Sequence, residues 1–306
     1  MSTIIKKESS LMRFFRFIGQ DSIAWSLRRL YCPVKKDDLV LDVGSGGNPY
    51  YRANVLCDAY LETEERFFEA LIADRPIILA RAERLPFKDG VFDFVIASHV
   101  LEHSADPKKF LEEIQRVGRA GYIEVPDAFM ERLTNYRFHM LEITDVDGAL
   151  IIRKKKGHIQ DEELWKLFKN KARGIAPYLF SKYPFNFHVR YYWSKEFGGI
   201  KYQILNPEYK FDWEPPSAMP GSSEAGKLSL KTRFNKAILF LFRRFFSQNS
   251  RNKKIDLIKY LICVNCGKPL VKSGDAYKCT SCKRFYPLVR GKIPDFTYEN
   301  SGLAQK

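Results

Sequence analysis

Four cysteines constrain this chain more than any other feature. Cys263-x2-Cys266 and Cys279-x2-Cys282 form two knuckles separated by twelve residues. Such spacing brings four thiolates into a tetrahedral set, the closed arrangement of a structural zinc site. Iron is the alternative for a four-thiolate set. A fragment of about 50 residues builds little core, so the metal supplies its folding energy. Four cysteines leave no open coordination position, which excludes catalysis at this ion. A redox pair would need one CxxC beside a βαβ pattern, and none accompanies it. Cys32 and Cys57 stand alone.

The rest of the chain alternates. Short apolar runs occur at Leu39-Val40-Leu41-Asp42-Val43, Asn54-Val55-Leu56-Cys57-Asp58, Pro76-Ile77-Ile78-Leu79-Ala80, Phe92-Asp93-Phe94-Val95-Ile96-Ala97 and Gly121-Tyr122-Ile123-Glu124-Val125. Helical patterns fall between the second and third runs, over 62–73, and between the fourth and fifth, over 107–117. Strands alternating with helices predict an α/β fold around a mostly parallel sheet covered on both faces. Segments 188–193 and 200–205 flank a Gly-Gly turn and read as a hairpin. Residues 148–152 read as a strand and 161–171 as a helix. The expected domains are an N-terminal helical segment over 1–36 with Gly19 as a break, a body over 37–213, a linker and basic amphipathic helix over 214–254, and the cysteine module over 255–300.

Charge is unevenly spread. Residues 1–220 hold 33 basic and 31 acidic residues, whereas 221–306 hold 18 and 5. A near-neutral body thus carries a basic tail that seeks an anion: nucleic acid, phospholipid or a phosphorylated substrate. No apolar run approaches the ~20 residues of a membrane span, and no secretory signal is evident. The expected location is the cytoplasm, with peripheral contact at the inner face of a membrane as an extension of that reading.

The string Asp42-Val43-Gly44-Ser45-Gly46-Gly47-Asn48-Pro49 ends the first strand. Glycines there let the backbone approach a ligand, and in open α/β sheets ligands sit beyond the carboxyl ends of the strands. Asp58 closes the second strand, where a carboxylate can accept both hydroxyls of a ribose. A dinucleotide site wants glycine at position 49, and Pro49 argues against NAD.

These strings resemble the class I S-adenosylmethionine-dependent methyltransferases, particularly the type 11 group, over roughly 39–126. The resemblance implies a Rossmann-like, seven-stranded sheet with the 188–205 hairpin as its last two strands. It implies cofactor contacts from Asp42, Gly44, Ser45, Gly46, Asp58, Ala82, Glu83 and Ser98. The family usually has an acid before Ala82, and here that residue is Arg81. Asn48 also stands where a third glycine is common. Residues 260–297 resemble the small zinc ribbons that include a methyltransferase activator subunit.

His99 and His103 follow the fourth strand in Ser98-His99-Val100-Leu101-Glu102-His103. A histidine there could take a proton from a hydroxyl acceptor. Glu124, Asp127, His139 and Glu142 are candidates for lining the acceptor pocket. The aromatic insertion containing Trp165, Phe168, Tyr178, Phe180, Tyr183, Phe185 and Phe187 suits either a sugar or lipid acceptor or an ordinary core. The expected activity is methyl transfer from S-adenosylmethionine to a small-molecule, glycan or lipid-linked acceptor. RNA methylation and a non-catalytic scaffold that recruits a partner are the alternatives. In 228–246, Leu230, Phe234, Ala237, Ile238, Leu241, Phe242 and Phe245 recur at helical spacing among basic residues. That pattern suits either docking on the body or an anionic membrane surface.

Overall fold

The computed structural model describes residues 7–61, 70–158, 162–213, 241, 247 and 250–298. Helices α1 (Ser10–Phe17) and α2 (Asp21–Leu27) form the N-terminal segment. Ser9 caps α1 by accepting from Met12 N. Gly19, at φ +72°, makes the break between the helices.

The body is built on β1 (Val40–Val43), β2 (Val55–Asp58), β3 (Ile77–Leu79), β4 (Phe92–Ser98), β5 (Gly118–Pro126) and a distal antiparallel strand, His188–Ser194. The first three strands are buried at every residue, the mark of a sheet covered on both faces. Helix α3 (Pro107–Val117) is capped by Asp106 and begins with Pro107. It buries Phe110, Leu111, Ile114 and Val117, the face read from the sequence. Strand order is β3-β2-β1-β4-β5 and then 188–194. The order reverses between β1 and β4, where such sheets place ligands.

Helix α4 (Ala128–Thr134), strands β6 (Leu141–Val146) and β7 (Ala149–Lys154), and helix α5 (Glu162–Lys182) make up the insertion. The distal strand of the main sheet is then β8, and β9 (Tyr202–Ile204) follows it. The main sheet has six strands, not the seven expected, because the 188–205 hairpin does not form. Gly198 and Gly199 have φ of +87° and +75°. Ile200 N then donates to Gln115 Oε1 of α3 at 2.8 Å, which carries the chain away from β8. As a result β9 pairs in parallel with β7, Leu150 opposite Tyr202, in a separate β6-β7-β9 sheet.

The cysteine module folds as β10 (Leu270–Ser273), β11 (Ala276–Cys279), β12 (Phe285–Val289) and β13 (Ile293–Pro294) in one antiparallel sheet. It docks on the edge of β3. Phe296 N donates to Leu79 O at 2.7 Å, and Ile262 N donates to Pro86 O at 2.9 Å. Leu261, Leu270, Tyr286 and Phe296 share one core with Ile78, Leu85 and Phe87. The module therefore covers an edge that would otherwise present unpaired backbone. Of the helix expected over 62–73, residues 62–69 lie outside the described residues and 70–73 are not helical. The basic segment 228–246 also lies outside them, save Leu241.

Candidate active site

An open cleft lies at the carboxyl ends of β1, β2 and β4, where ligands sit in sheets of this kind. Gly44, Gly46, Asp58, Ala82, Glu83, His99, His103 and Ser104 are among the residues that line it.

The glycine turn is fixed sterically. Gly44 has φ +69°, and a Cβ there would sit 2.6 Å from the Val100 side chain. Gly44 N and Ser45 N both donate to Cys57 O, at 2.8 and 3.1 Å, which ties the turn to β2. Gly46 N donates to Asp58 Oδ2 at 2.9 Å and Tyr60 N to Oδ1 at 3.0 Å, so backbone amides orient the Asp58 carboxylate at the cleft. Ser45 Oγ is buried without a hydrogen-bond partner among the described residues. Ser45 is not among the residues that line the cleft. Asp42 lies beneath the turn, not in the cleft lining. It accepts from Tyr50 N at 2.8 Å, and burial pushes its carboxyl up to about 6.

Arg81, with 58% of its side chain exposed, stands 3.8 Å from Glu83. Glu83 accepts from Ser104 Oγ at 2.6 Å, which places a carboxylate beside Ala82. Ser98 points elsewhere: its Oγ donates to Glu124 Oε1 at 3.0 Å.

The two histidines hold different charge states. His99 adopts φ +56°, an uncommon backbone for a non-glycine residue that clusters at functional sites. Its Nε2 lies 3.2 Å from Glu124 and its Nδ1 3.5 Å from Glu102. Burial alone would lower its pKa, but contacts with Glu102 and Glu124 outweigh this and raise it to about 9. His99 is therefore a cation at neutral pH, with both ring nitrogens turned to carboxylates. His103 is lowered to about 4, chiefly by burial. It is neutral, with Nδ1 3.2 Å from Phe138 O.

Glu124 is wholly buried rather than a wall of the acceptor pocket. Arg28 from the N-terminal segment grips it with two bonds, of 2.7 and 2.9 Å, and Tyr122 donates to it as well. Nothing in the sequence singled out Arg28. Asp127 caps α4 by accepting from Phe129 N, and also accepts from Thr144 Oγ1. Glu142 pairs with Arg132 and Arg153. His139 pairs with Glu131. Of the insertion's aromatics, Phe187 is buried, whereas Tyr178 and Tyr183 are exposed.

The four cysteine Sγ atoms lie within 4.8 Å of one another. Cys263 and Cys282 approach to 3.5 Å, and Cys266 and Cys279 to 3.4 Å. These separations fit thiolates around one ion at ~2.3 Å.

Residues 41–123, within the α/β body, match the model of a methyltransferase domain. An uncharacterised Methanocaldococcus jannaschii protein, MJ1123, is 49% identical over 45 residues, 15% of this chain and 22% of that protein. A second from the same organism, MJ0638, is 38% identical over 86 residues, 27% of this chain and 37% of that one. Each match thus spans well under half of the relative's length. Among solved structures, a Haloferax volcanii complex of the Trm112 methyltransferase activator with a methyltransferase is 18% identical. That match covers 44% of this chain and 78% of that chain, with a TM-score of 0.29.

Proposed function

We propose that this chain is an S-adenosylmethionine-dependent methyltransferase acting on a small-molecule, glycan or lipid-linked acceptor, with a zinc ion held by Cys263, Cys266, Cys279 and Cys282. The observation that carries the reading is the cleft itself, lined by Gly44, Gly46 and Asp58 together with His99 and His103. When bound, S-adenosylmethionine supplies an activated methyl group, so positioning accounts for much of the rate. Gly44 and Gly46 would let the cofactor approach the backbone, and Asp58 would accept its ribose hydroxyls. Glu83 is the carboxylate available to its adenine amino group. At the acceptor end, His99 and His103 line the cleft and would help position the acceptor.

Calorimetry should show S-adenosylmethionine binding to wild type, weakened in Asp58→Ala by ~1–3 kcal/mol as buried partners go unpaired. No binding to wild type would defeat the enzyme reading and favour the scaffold. Tritiated methyl transfer into fractionated extract identifies the acceptor class. The charge of 221–306, 18 basic against 5 acidic residues, supports the RNA alternative, and label in an RNA fraction with steeply salt-sensitive binding would decide for it.

Among the described residues no helix is long and apolar enough to cross a membrane. The basic pattern of 228–246 supports reversible contact with an anionic bilayer surface. Wild type should float with anionic liposomes at low salt, and Arg243→Glu/Arg244→Glu should not. Equal flotation of the two proteins would remove the segment from any membrane role.

A further inference from the structure

A helix on a protein surface ordinarily turns its apolar side to the core and its polar side to water. Helix α1 is apolar on both sides. Met12 is fully buried, yet Leu11, Phe14 and Ile18 are about half exposed and Phe17 is 88% exposed. These four fall on one side of the helix and its C-cap. Scattered apolar side chains on a surface are ordinary, but four on adjoining turns make a patch of the kind that marks a contact site. The helix is nonetheless anchored. It packs on α2, Arg16 bonds Glu8, and the Arg16 guanidinium lies 4.2 Å from the centre of the Phe185 ring.

Charge selects what covers this face. Residues 1–36 hold eight basic and two acidic residues. Both acids, Glu8 and Asp21, lie against Arg16, and Arg28 is held by Glu124. Lys7, just before the helix, and Arg13, on it, are exposed. A second copy of the chain would bring the same cations against these, and the segment 228–246 is itself basic. An anionic lipid surface meets both demands, with headgroups for the cations and the acyl boundary for the apolar side chains. A ring as exposed as Phe17 lines no groove, and a fluid interface takes a projecting ring without a preformed pocket. Because α1 is already folded on the body, docking does not carry the cost of ordering an isolated helix.

We propose that α1 seats on an anionic bilayer, with Leu11, Phe14, Phe17 and Ile18 entering the interface. The position of the helix pair gives the contact a use. Trp25 of α2 lies 5.3 Å from Phe185 and 4.7 Å from His188 between ring centroids. His188 in turn lies 5.4 Å from His99, which lines the cleft. A run of packed rings thus joins the membrane-facing helices to the acceptor end, and an acceptor tethered to a lipid would be met at the bilayer surface. That use rests on the methyltransferase reading; the docking does not. Stable attachment takes two signals, so α1 and the segment 228–246 act together.

The test is flotation of the full, zinc-loaded chain with vesicles of equal parts phosphatidylcholine and phosphatidylglycerol, and with vesicles of phosphatidylcholine alone. Wild type should float with the first and much less with the second. Phe14→Ser/Phe17→Ser replaces only exposed rings and leaves 228–246 intact. It should melt and bind S-adenosylmethionine as wild type does, yet bind the anionic vesicles at least about tenfold more weakly. Arg13→Glu should weaken binding by a smaller factor that shrinks as salt rises. Phe17→Trp reads insertion directly, since vesicles with brominated acyl chains should quench its fluorescence more than that of wild type. If Phe14→Ser/Phe17→Ser floats as wild type does, or if brominated lipid quenches Phe17→Trp no more than wild type, α1 is not the contact. Flotation lost in Arg243→Glu/Arg244→Glu then belongs to 228–246 alone. A wild type that does not float but sediments as a dimer, dissolved by Phe14→Ser/Phe17→Ser, would give the face to a second copy and overturn the proposal. A protein that floats with the expected losses but binds no S-adenosylmethionine keeps the membrane surface and loses the methyltransferase reading.

Discussion

Arg28→Ala should destabilise the folded protein by about 3–5 kcal/mol, the cost of stranding a buried charge. Glu124 is fully buried, and Arg28 supplies two of its bonds. Burial alone would raise the Glu124 pKa; the Arg28 charge, with bonds from His99 and Arg28, holds it well below the usual carboxylate range. A carboxyl depressed on folding contributes stability that is present above its unfolded pKa of about 4.5 and lost as pH falls through its folded value. The deficit of Arg28→Ala should therefore be largest near neutrality and narrow on acidification. Urea denaturation of the zinc-loaded chain at several pH values reads this directly. Arg28→Ala/Glu124→Gln should recover part of the loss, since the stranded charge is gone. A double variant no more stable than Arg28→Ala would place the cost elsewhere. The consequence reaches the cleft, because the Glu124 carboxylate also holds His99, and His99 N donates to Glu124 O at 2.7 Å.

What could be read from the sequence follows from how local each signal is. The strands, the glycine turn and Asp58 declare themselves within a few residues: an apolar run, glycines at its end, an acid closing the next run. The structure uses them in place, down to Gly46 N donating to Asp58. Arg28 could not be found this way. Its partner lies 96 residues along the chain, and an arginine on an amphipathic helix ordinarily faces water. Strand β9 shows the same limit. Alternation over 200–205 marks a strand, but its choice of β7 over β8 depends on Gln115 of α3. Position after β4 suggested both His99 and His103 as bases. Their different charge states come from Glu102 and Glu124, which raise His99, and from burial, which lowers His103. Ser98 has a similar history, since its side chain serves Glu124 instead of lining the cleft.

Zinc removal should have the largest effect of all, and it should reach beyond the cysteine module. Structural zinc in small modules contributes on the order of 10 kcal/mol to folding. Within the module, Tyr286, fully buried, packs against Phe296 with ring centroids 4.4 Å apart. Its hydroxyl lies 3.0 Å from Cys263 Sγ, so the ligand set and the small core are joined. That core is continuous with Ile78, Leu85 and Phe87 of the body. Unfolding the module also removes the bond from Phe296 N to Leu79 O and the contact of Asp295 along β3. Cys266→Ser, or treatment with a strong chelator, should therefore lower the melting temperature of the whole chain. Hydrogen exchange at the β3 amides should accelerate while that of β4 and β5, deeper in the sheet, changes less. Elemental analysis should find about one zinc per chain in wild type, and iron in its place would identify the alternative ion. Metal retained after two of the four cysteines are replaced would refute the ligand set. A chelated protein that loses its zinc yet melts as before would show that the module merely rests on β3, whereas coupled loss of both follows if the edge strand depends on its cover.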